Sequence, residues 1–506
     1  MNRRQFLGSA FALPAAAVHS ANPPAPEKPN LLVIMTDQQR SSALSCAGHE
    51  ILKTPNLDRL AAQGALYRNA ISPCPVCVPA RTCILTGKSM STTGVTKNEF
   101  AGDTEIDCGP SFDNLLAAAG YKTEYHGKYH APYRMAKTYL NKVPYAGKRV
   151  PGAPSARQQY LDYLNRYAPA RPLRPGEVMN ERFERPYIPA RLDPRYKGSI
   201  GESGEGQTFG WLQVPKEHSL AAYTVDQALE ALDRLHGGPF SLTCSIGPPH
   251  PPFLNVSPYW GMYPDRDIPL PKNFHHDMTY SPYRDRAAHM RQYHVPENVQ
   301  SGLSIYYGMV KEVDDNIGRL LRRLDERGLA ANTLVVFMSD HGEMMGSHGM
   351  GSKMVFYKES AHVPLMMRFP GRIRPGTQID EPVSTMDVFA TVLDYLGVPT
   401  PQRESYNLRK PSPDFRVSEW AGENIPNFMV RTRDWKLIMA KTPTSRAQDA
   451  LFNLKEDPYE MTNLLGAPAD RARYRAQANE MKDRLLSFLD RAHSPQTSTV
   501  KERSLA

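Results

Sequence analysis

The chain has 506 residues, of which 41% are hydrophobic and 22% are charged, so it can bury a large core and is neither fibrous nor intrinsically disordered. Its 61 basic and 52 acidic residues give a formal charge of +9 that is spread along the chain. Because the chain has no dense block of lysine and arginine, the composition argues against nucleic-acid binding and remains compatible with an anionic substrate.

The first residues predict an export signal. Arg3 and Arg4 precede an apolar stretch over residues 6–18, which small and polar residues follow. A basic region before a short apolar region is typical of a cleavable signal peptide, and the apolar run is too short to span a bilayer. The paired arginines indicate the twin-arginine route, although Gly8 stands where that motif usually carries Lys. We predict a signal peptide over residues 1–21, a periplasmic protein and, because no later stretch is long enough, no membrane span.

Between residues 30 and 399, short apolar runs alternate with helical patterns, which is typical of an α/β fold. One helix begins after Thr54 as N-cap and ends at Gly64. The other predicted helices cover residues 112–119, 221–235 and 303–324, and the predicted strands cover residues 31–35, 121–125, 240–246 and 333–338.

Three further segments do not follow this alternation of apolar runs and helical patterns. Residues 129–213 and 247–297 interrupt the alternation, and we interpret them as long surface excursions that either bind substrate or are decoration. After residue 401, predicted strands over 428–430 and 435–439 and a helix over 470–489 indicate a second unit. The sequence therefore predicts a large domain over residues 29–400 and a smaller α+β domain over residues 401–506.

The six cysteines favour a site over a disulfide framework. An even number in an exported protein could form three disulfides, but Cys74, Cys77 and Cys83 crowd into ten residues and a chain of this size folds without such cross-links. Cys74 and Cys77 also fit half of a zinc site, but no second CxxC pair completes it.

Polar side chains follow two of the predicted strands. Asp37 and Gln38 come directly after the first strand, and Asp340 and His341 follow the strand over residues 333–338. In open α/β sheets, sites form beyond the carboxyl ends of strands, so these side chains can converge on a cation. Either pair alone also fits a helix cap or a turn.

A second candidate site begins at Cys77. Pro79 suits the first turn of a helix and Gly87 suits its end, so Cys77 lies at a predicted helix N-terminus, where the backbone amides favour a negative group. Arg81 lies one turn along on the same face. A structural cysteine beside a surface arginine fits the same pattern.

Four more basic residues follow strands or lie in loops, and each alone would be an ordinary surface cation. Together with Arg81 and a metal ion they would form a positive cage for a tetrahedral oxyanion, in which the histidines transfer protons. They are Lys128, His130, His250 and Lys353.

The segment over residues 77–88 resembles the Cys-x-Pro-x-Arg signature of the type I sulfatases in the alkaline phosphatase superfamily, including its Thr-Gly-basic ending. The resemblance continues through residues 54–60, 127–130 and 339–342, and through residues 451–464 near the C-terminus. It implies a large alkaline-phosphatase-like catalytic domain, with a mixed, mostly parallel central sheet flanked by helices, beside the smaller C-terminal α+β domain.

The resemblance also implies residue roles. A formylglycine-generating enzyme would oxidise Cys77 to formylglycine, whose hydrate attacks the sulfur of a sulfate ester. Arg81 would steady the hydrate, Lys128, His250 and Lys353 would hold sulfate oxygens, and His250 and His130 would move protons to the alcohol and from the hydrate. The implied ligands of a calcium ion, or of Mn²⁺ or another divalent ion in its place, are Asp37, Gln38, Cys77, Asp340 and His341.

Two departures from the commonest family pattern leave alternatives open. Gln38 stands where many members carry Asp, and His341 stands where many carry Asn; both also occur in relatives that cleave phosphonate monoesters or phosphodiesters. We therefore predict an exported sulfatase for sulfated carbohydrates, because export suits the scavenging of such polymers. The alternatives are a phosphonate monoester or phosphodiester hydrolase, and a non-catalytic relative that binds sulfated glycans.

Overall fold

The computed structural model describes residues 28–102, 106–132, 156–167, 177–178, 190–192, 209–212, 214–422, 427–440 and 448–505. The predicted signal peptide over residues 1–21 lies outside these ranges. Within them, no helix is both long enough and apolar enough to cross a membrane.

The strands, in chain order, are β1 Asn30–Thr36, β2 Ala65–Tyr67, β3 Ala70–Ile71, β4 Lys122–Gly127, β5 Glu177–Val178, β6 Ala190–Leu192, β7 Phe209–Leu212, β8 Phe240–Ile246, β9 Phe253–Asn255, β10 Thr333–Ser339, β11 Leu365–Arg368, β12 Thr377–Ile379, β13 Val383–Ser384, β14 Arg416–Glu419, β15 Phe428–Arg431, β16 Trp435–Met439 and β17 Ala450–Asn453. The helices are α1 Pro55–Ala62, α2 Cys77–Thr86, α3 Met90–Thr93, α4 Phe112–Ala118, α5 Ala156–Tyr167, α6 Leu220–Leu235, α7 Arg284–His289, α8 Pro296–Glu326, α9 Lys358–Ala361, α10 Val388–Tyr395, α11 Pro468–Arg491 and α12 Thr497–Glu502.

The central sheet has seven strands in the order β12-β2-β11-β10-β1-β8-β4. Strands β4, β8, β1 and β10 are parallel neighbours, and only β11 runs against the others. This arrangement confirms the predicted mixed, mostly parallel sheet. At its centre, Thr36 lies opposite both Ser339 and Ile246, so the carboxyl ends of β1, β10 and β8 meet at one edge.

Helices cover both faces of this sheet. Alternate residues of β1, such as Leu31 and Val33, pack with α2, α4 and α10, whereas Leu32 and Ile34 pack with α1, α6 and α8 on the opposite face. All seven residues of β1 are buried. A strand buried on both faces reads as a continuous apolar run, which is why the sequence marks β1, β8 and β10 so clearly.

Two helices differ from their prediction at the N-terminus, one in its first residue and the other in the group that caps it. Helix α8 begins at Pro296, seven residues before the predicted start at Leu303, because proline suits the first helical position. Helix α1 begins after Thr54 as predicted, but its first amides donate to the carboxylate of Asp314 in α8, with Leu57 N at 2.9 Å from Asp314 Oδ1. The tertiary contact thus replaces the local cap.

The two predicted surface excursions contribute buried residues to the core, so the prediction of a surface location is wrong for the parts that form strands β7 and β9. Strand β7 from the first pairs in parallel with β9 from the second, in a sheet of the order β5-β6-β7-β9. Phe209 and Phe253 stack with ring centroids 4.9 Å apart, and both are buried. Their packing against α8 buries aromatic residues that have no helical or strand periodicity.

The C-terminal region is an antiparallel sheet, β14-β15-β16-β17, covered by helix α11. Leu437 of β16 packs with Met481 and Leu485 of α11, and the same cluster includes Ala80 and Cys83 of α2. This confirms the predicted smaller α+β part. The predicted boundary between residues 400 and 401 stays a prediction, and the shared cluster shows that the C-terminal sheet supports the helix that begins at Cys77.

Candidate active site

The edge at which β1 and β10 end brings together the residues that the sequence placed after these strands. Asp37 and Gln38 follow β1, and Asp340 and His341 follow β10; all four are fully buried. The amide N–H of Gln38 donates to Asp340 Oδ1 at 3.1 Å, which ties the two strand ends together. Gln38 has a φ of 68°, a left-handed conformation that a non-glycine residue adopts only at a cost.

Helix α2 delivers Cys77 to the same point. Cys77 is the first residue of α2, Val76 before it is extended, and Gly87 ends the helix at a φ of 68°. The Sγ atom of Cys77 lies 3.0 Å from His341 Nε2 and 3.9 Å from Asp37 Oδ1. The predicted position of Cys77 at a helix N-terminus, beside the strand-end cluster, is therefore confirmed.

Arg81, one turn into α2, bridges both carboxylates. Its Nε donates to Asp340 Oδ2 at 2.7 Å and its Nη2 to Asp37 Oδ2 at 3.2 Å. Its Nη1 donates to the Lys128 carbonyl oxygen at 2.6 Å and to Ser245 Oγ at 2.9 Å. The guanidinium is fully buried, and its planar fork suits this bidentate role.

The two carboxylates divide their oxygens between cations and the cysteine side of the site. The Oδ2 atoms bind Arg81, and Asp37 Oδ2 also pairs with Lys128 Nζ. The Oδ1 atoms of Asp37 and Asp340 each lie 3.8 Å from His341 Nε2. One ligand atom from each of four buried residues lies within 4.8 Å of all the others; these residues are Asp37, Cys77, Asp340 and His341.

This donor set fits a divalent cation. Oxygen ligands about 2.4 Å from a calcium ion and at right angles to each other would be separated by roughly 3.4 Å, close to the separations found here. The Nδ1 atom of His341 lies 3.1 Å from the Gly342 carbonyl oxygen, so a proton on Nδ1 leaves the lone pair of Nε2 for a metal ion. The side chain of Gln38 follows Asp37, and its two polar atoms form hydrogen bonds with Glu343 and Lys353.

Charge shifts the pKa values of this cluster. Burial alone would raise the pKa of Asp37, but Lys128, His250, Arg81 and His341 outweigh burial and hold it well below its usual value. Burial and Asp37 would raise the pKa of the Cys77 thiol, yet Lys128, His341 and Lys353 lower it overall. The position of Cys77 thus favours a negatively charged group, as the sequence indicates.

The predicted cage residues lie close to one another and to Asp37. Lys353 Nζ lies 3.1 Å from His250 Nε2, and His250 Nε2 lies 4.0 Å from Asp37 Oδ1. Lys128 follows β4 through Gly127, whose φ is 93° and where any Cβ would meet the Ser245 carbonyl oxygen. The structure therefore brings Lys128, His250 and Lys353 together with the metal-ligand candidates.

His130 lies on the same segment as Lys128. Burial, Lys128 and Arg81 lower its pKa well below the usual value, so its imidazole is neutral at physiological pH. A neutral imidazole is able to accept a proton.

Comparison with known proteins agrees with this geometry. The family model described as Sulfatase matches residues 29–398, which is most of the chain. The chain belongs to the sulfatase family. The members of this family are sulfuric ester hydrolases, and the match to the family model confirms the resemblance found in the sequence.

Individual relatives of this sulfatase carry different names. The multifunctional alkaline phosphatase superfamily protein PehA of Trinickia caryophylli is 28% identical over 93% of this chain and 99% of the relative. An N-acetylglucosamine-6-O-sulfatase of Bacteroides thetaiotaomicron is 27% identical over 90% of this chain and 87% of the relative. The solved phosphonate monoester hydrolase of Agrobacterium radiobacter matches with a TM-score of 0.72 and 25% identity over 92% of this chain and 96% of that chain. The fold likeness confirms the predicted alkaline-phosphatase-like fold.

One buried residue of the sulfatase site has no place in the sequence prediction. Glu343, two residues after His341, accepts a hydrogen bond from Gln38 Nε2 and lies beneath the loop that carries Lys353. Burial raises its pKa above the usual value. Its sequence signal is an acidic residue directly behind the polar strand end, in a segment that is otherwise apolar or glycine-rich.

All six cysteines fall within the described residues and carry free thiols, five of them buried. Cys77 differs from the two others nearest to it in sequence. Burial raises the pKa of Cys74 and Cys83 well above the usual value, whereas that of Cys77 is lowered. Of these three thiols, Cys77 has the environment of a functional group.

Proposed function

We propose that this sulfatase is exported to the periplasm and hydrolyses sulfate esters of carbohydrates, with formylglycine made from Cys77 and a divalent cation, Ca²⁺ in first place, at the site. The observation that carries the proposal is the position of Cys77. Its Sγ atom lies close to Asp37 and His341, and the charges of Lys128 and Lys353 help to lower the pKa of the thiol. Carbohydrate is supported by the relative named for N-acetylglucosamine 6-O-sulfate.

Formylglycine and the divalent cation would supply the nucleophile and its activation. Formylglycine at position 77 would supply one hydroxyl to attack sulfur and a second whose deprotonation expels sulfate and restores the aldehyde. The cation would supply positive charge that lowers the pKa of the attacking hydroxyl; Mn²⁺ or another divalent ion is the alternative to Ca²⁺. Asp37, Asp340 and His341 would hold the cation, with Gln38 and residue 77 completing the set.

The residues of the chain orient the ester and move the protons. Arg81 fixes both metal-binding carboxylates and lies directly behind residue 77. Lys128 and Lys353 offer ammonium groups to the sulfate oxygens, on which negative charge develops in the transition state.

Two histidines carry the proton transfers. His250 Nδ1 lies 2.8 Å from the Pro251 carbonyl oxygen, which directs Nε2 into the site; in the imidazolium form, with a proton on each ring nitrogen, Nε2 gives its proton to the leaving alcohol. His130 is neutral and takes the proton of the second hydroxyl.

The first experiment measures the mass of the peptide that contains residue 77, in protein from the native host or made together with a formylglycine-generating enzyme. We expect the mass of the aldehyde. The modified enzyme is then assayed for sulfate release from a panel of sulfated glycans and aryl sulfates, with Cys77→Ala as the matched inactive control. An unmodified thiol, or modified enzyme that releases no sulfate, contradicts the proposal. Glycan binding that survives Cys77→Ala without turnover in either form would identify a binding protein.

A second candidate function is hydrolysis of phosphonate monoesters or phosphodiesters. Gln38 and His341 favour it: Gln38 stands in place of Asp and leaves one fewer carboxylate at the metal than many sulfatases have, and His341 replaces an amide ligand by an imidazole. The PehA relative and the phosphonate monoester hydrolase structure add weight. The ratio of kcat/KM for an aryl sulfate to that for the matched aryl phosphodiester decides between them, and a ratio below one selects the second candidate.

Export has its own test. The proposed signal depends on Arg3 and Arg4, so replacement of both by lysine should keep the protein in the cytoplasm, as measured by cell fractionation. Normal export of that variant, or a mature N-terminus that retains residues 1–21, contradicts the proposal. We place formylglycine formation in the cytoplasm before export, so the retained variant should still carry the aldehyde.

A further inference from the structure

The side chain of Gln38 lies between two charged groups of opposite sign. Its Nε2 donates to Glu343 Oε2, and its Oε1 accepts a hydrogen bond from Lys353 Nζ at 2.9 Å. All three residues are buried, with 0% of Gln38 and of Glu343 and 1% of Lys353 exposed. The amide is thus held at both ends inside the site.

Glu343 is itself fixed by the backbone. Its Oε1 accepts from the amide of Met345 at 2.9 Å and from the amide of Ser352 at 2.7 Å. The two carboxylate oxygens therefore have separate tasks: Oε1 closes the loop that precedes Lys353, and Oε2 binds Gln38. This division makes it possible to perturb one task and keep the other.

The two polar atoms of an amide side chain interact with cations in opposite ways. Its carbonyl oxygen is a ligand for a hard cation or an acceptor for an ammonium group, whereas its amino group is a donor only. A carboxylate accepts and an ammonium donates, so Glu343 and Lys353 together select a single orientation of the Gln38 amide. Without Glu343, the two orientations differ by much less in free energy.

We propose that Glu343 is a positioning residue, which locks the Gln38 amide so that its carbonyl oxygen faces Lys353 and is the atom that Gln38 offers to the cation. This inference rests on the proposed role of Gln38 as a metal ligand. Asp at the position of Gln38 would present an oxygen in either orientation, whereas Gln needs a partner that fixes its amide. Glu343 supplies that partner, which links the residue that departs from the common pattern to a buried acid behind it.

Glu343→Gln tests the proposal with almost no change of shape. The new side chain keeps an oxygen for the amides of Met345 and Ser352 but turns its amino group toward the amino group of Gln38. Gln38 must then rotate and direct its own amino group toward Lys353 and the cation. We expect the dissociation constants of Ca²⁺ and Mn²⁺ to rise by about 10-fold to 100-fold, the usual effect of losing a partner that orients a metal ligand.

The decisive measurement is a double-mutant cycle on metal affinity, by calorimetric titration of Ca²⁺ and of Mn²⁺ into chelator-treated full-length protein. The four proteins are the wild type, Glu343→Gln, Gln38→Ala and the double variant. If Glu343 acts through Gln38, then Glu343→Gln weakens binding in the wild-type background and has no effect in the Gln38→Ala background. Equal weakening in both backgrounds, or none in either, overturns the inference.

Two controls complete the experiment. Glu359→Gln changes another buried acid, one that contacts Asn273, and should leave metal affinity unchanged. If Glu343→Gln fails to fold, Glu343→Asp keeps the charge and withdraws it by one methylene, and an unchanged affinity in that variant overturns the inference. A wild-type protein that binds neither cation would refute the proposed metal role together with this inference, whereas wild-type binding without coupling refutes this inference alone.

Discussion

Replacing Glu312 by glutamine should stabilise the protein above neutral pH and leave its stability almost unchanged in acid. Glu312 lies in the middle of α8, with 3% of its surface exposed, and its Oε1 is a buried acceptor without a hydrogen-bond partner in the described part of the chain. Burial raises the pKa of this carboxyl from 4.5 to about 7, and Asp315 adds to the effect. The carboxylate form is therefore less favourable in the folded protein than in the unfolded chain.

The size of the effect follows from linkage. At about 1.4 kcal/mol per pH unit, the difference between a pKa of 4.5 and one of about 7 corresponds to about 3 kcal/mol. Below pH 4.5 both states carry the proton, so the free energy of unfolding contains no penalty. Between pH 4.5 and 7 the unfolded chain loses its proton first, so stability falls as pH rises, and above about pH 7 the full penalty is present.

Glutamine has no charge to lose, so Glu312→Gln removes the penalty. Denaturant unfolding of both proteins at about pH 4 and about pH 8 should show equal stability in acid and a gain of up to about 3 kcal/mol in base. Glu297→Gln, an exposed position in the same helix, is the matched control and should change stability by less than about 0.5 kcal/mol at both pH values. A stability change for Glu312→Gln that is the same at both pH values would refute the reasoning.

Three further substitutions test the catalytic assignments. Lys353→Met should lower kcat/KM for a sulfate ester by about 100-fold to 1,000-fold, because it removes the positive charge that stabilises the developing oxyanion. Lys455→Met, at an exposed position, is the control and should leave kcat/KM unchanged. Equal kcat/KM values for the two variants would show that Lys353 does not act at the site. Asp340→Asn should lower both bound metal, measured by elemental analysis, and rate, because it weakens a ligand oxygen and the partner of Arg81; full metal occupancy with lost rate would contradict the ligand role. Cys77→Ala should abolish turnover with a preserved circular dichroism spectrum and cooperative melting, and turnover equal to wild type would exclude Cys77 as the source of the nucleophile.

Local sequence signals were sufficient wherever one strand or one helix end decides the outcome. The apolar runs of β1 and β10 predict two buried strands, and the polar residues directly after them must lie at one sheet edge if the strands are parallel neighbours. Pro79 and Gly87 likewise fix the ends of α2 and put Cys77 at its start. These signals are local, because the regular backbone geometry of a strand or a helix end restricts which residues suit each position.

Packing between distant segments decided the rest. The bond between Gln38 and Glu343 joins residues 305 positions apart, and the cap of α1 by Asp314 joins residues 257 positions apart, so no local period records either one. The aromatic residues around Phe253 have no strand or helix pattern, yet they are core because α8 packs over them.

Short motifs and the alternation of apolar residues were enough to predict the family, the central sheet and the metal-ligand and cage residues of the site, but they did not reveal Glu343. The packed fold was needed to show which carboxylate oxygen of Asp37 and of Asp340 binds Arg81, and which group orients Gln38. Those choices depend on the directions of buried side chains from several elements, which become fixed only when the elements pack against each other.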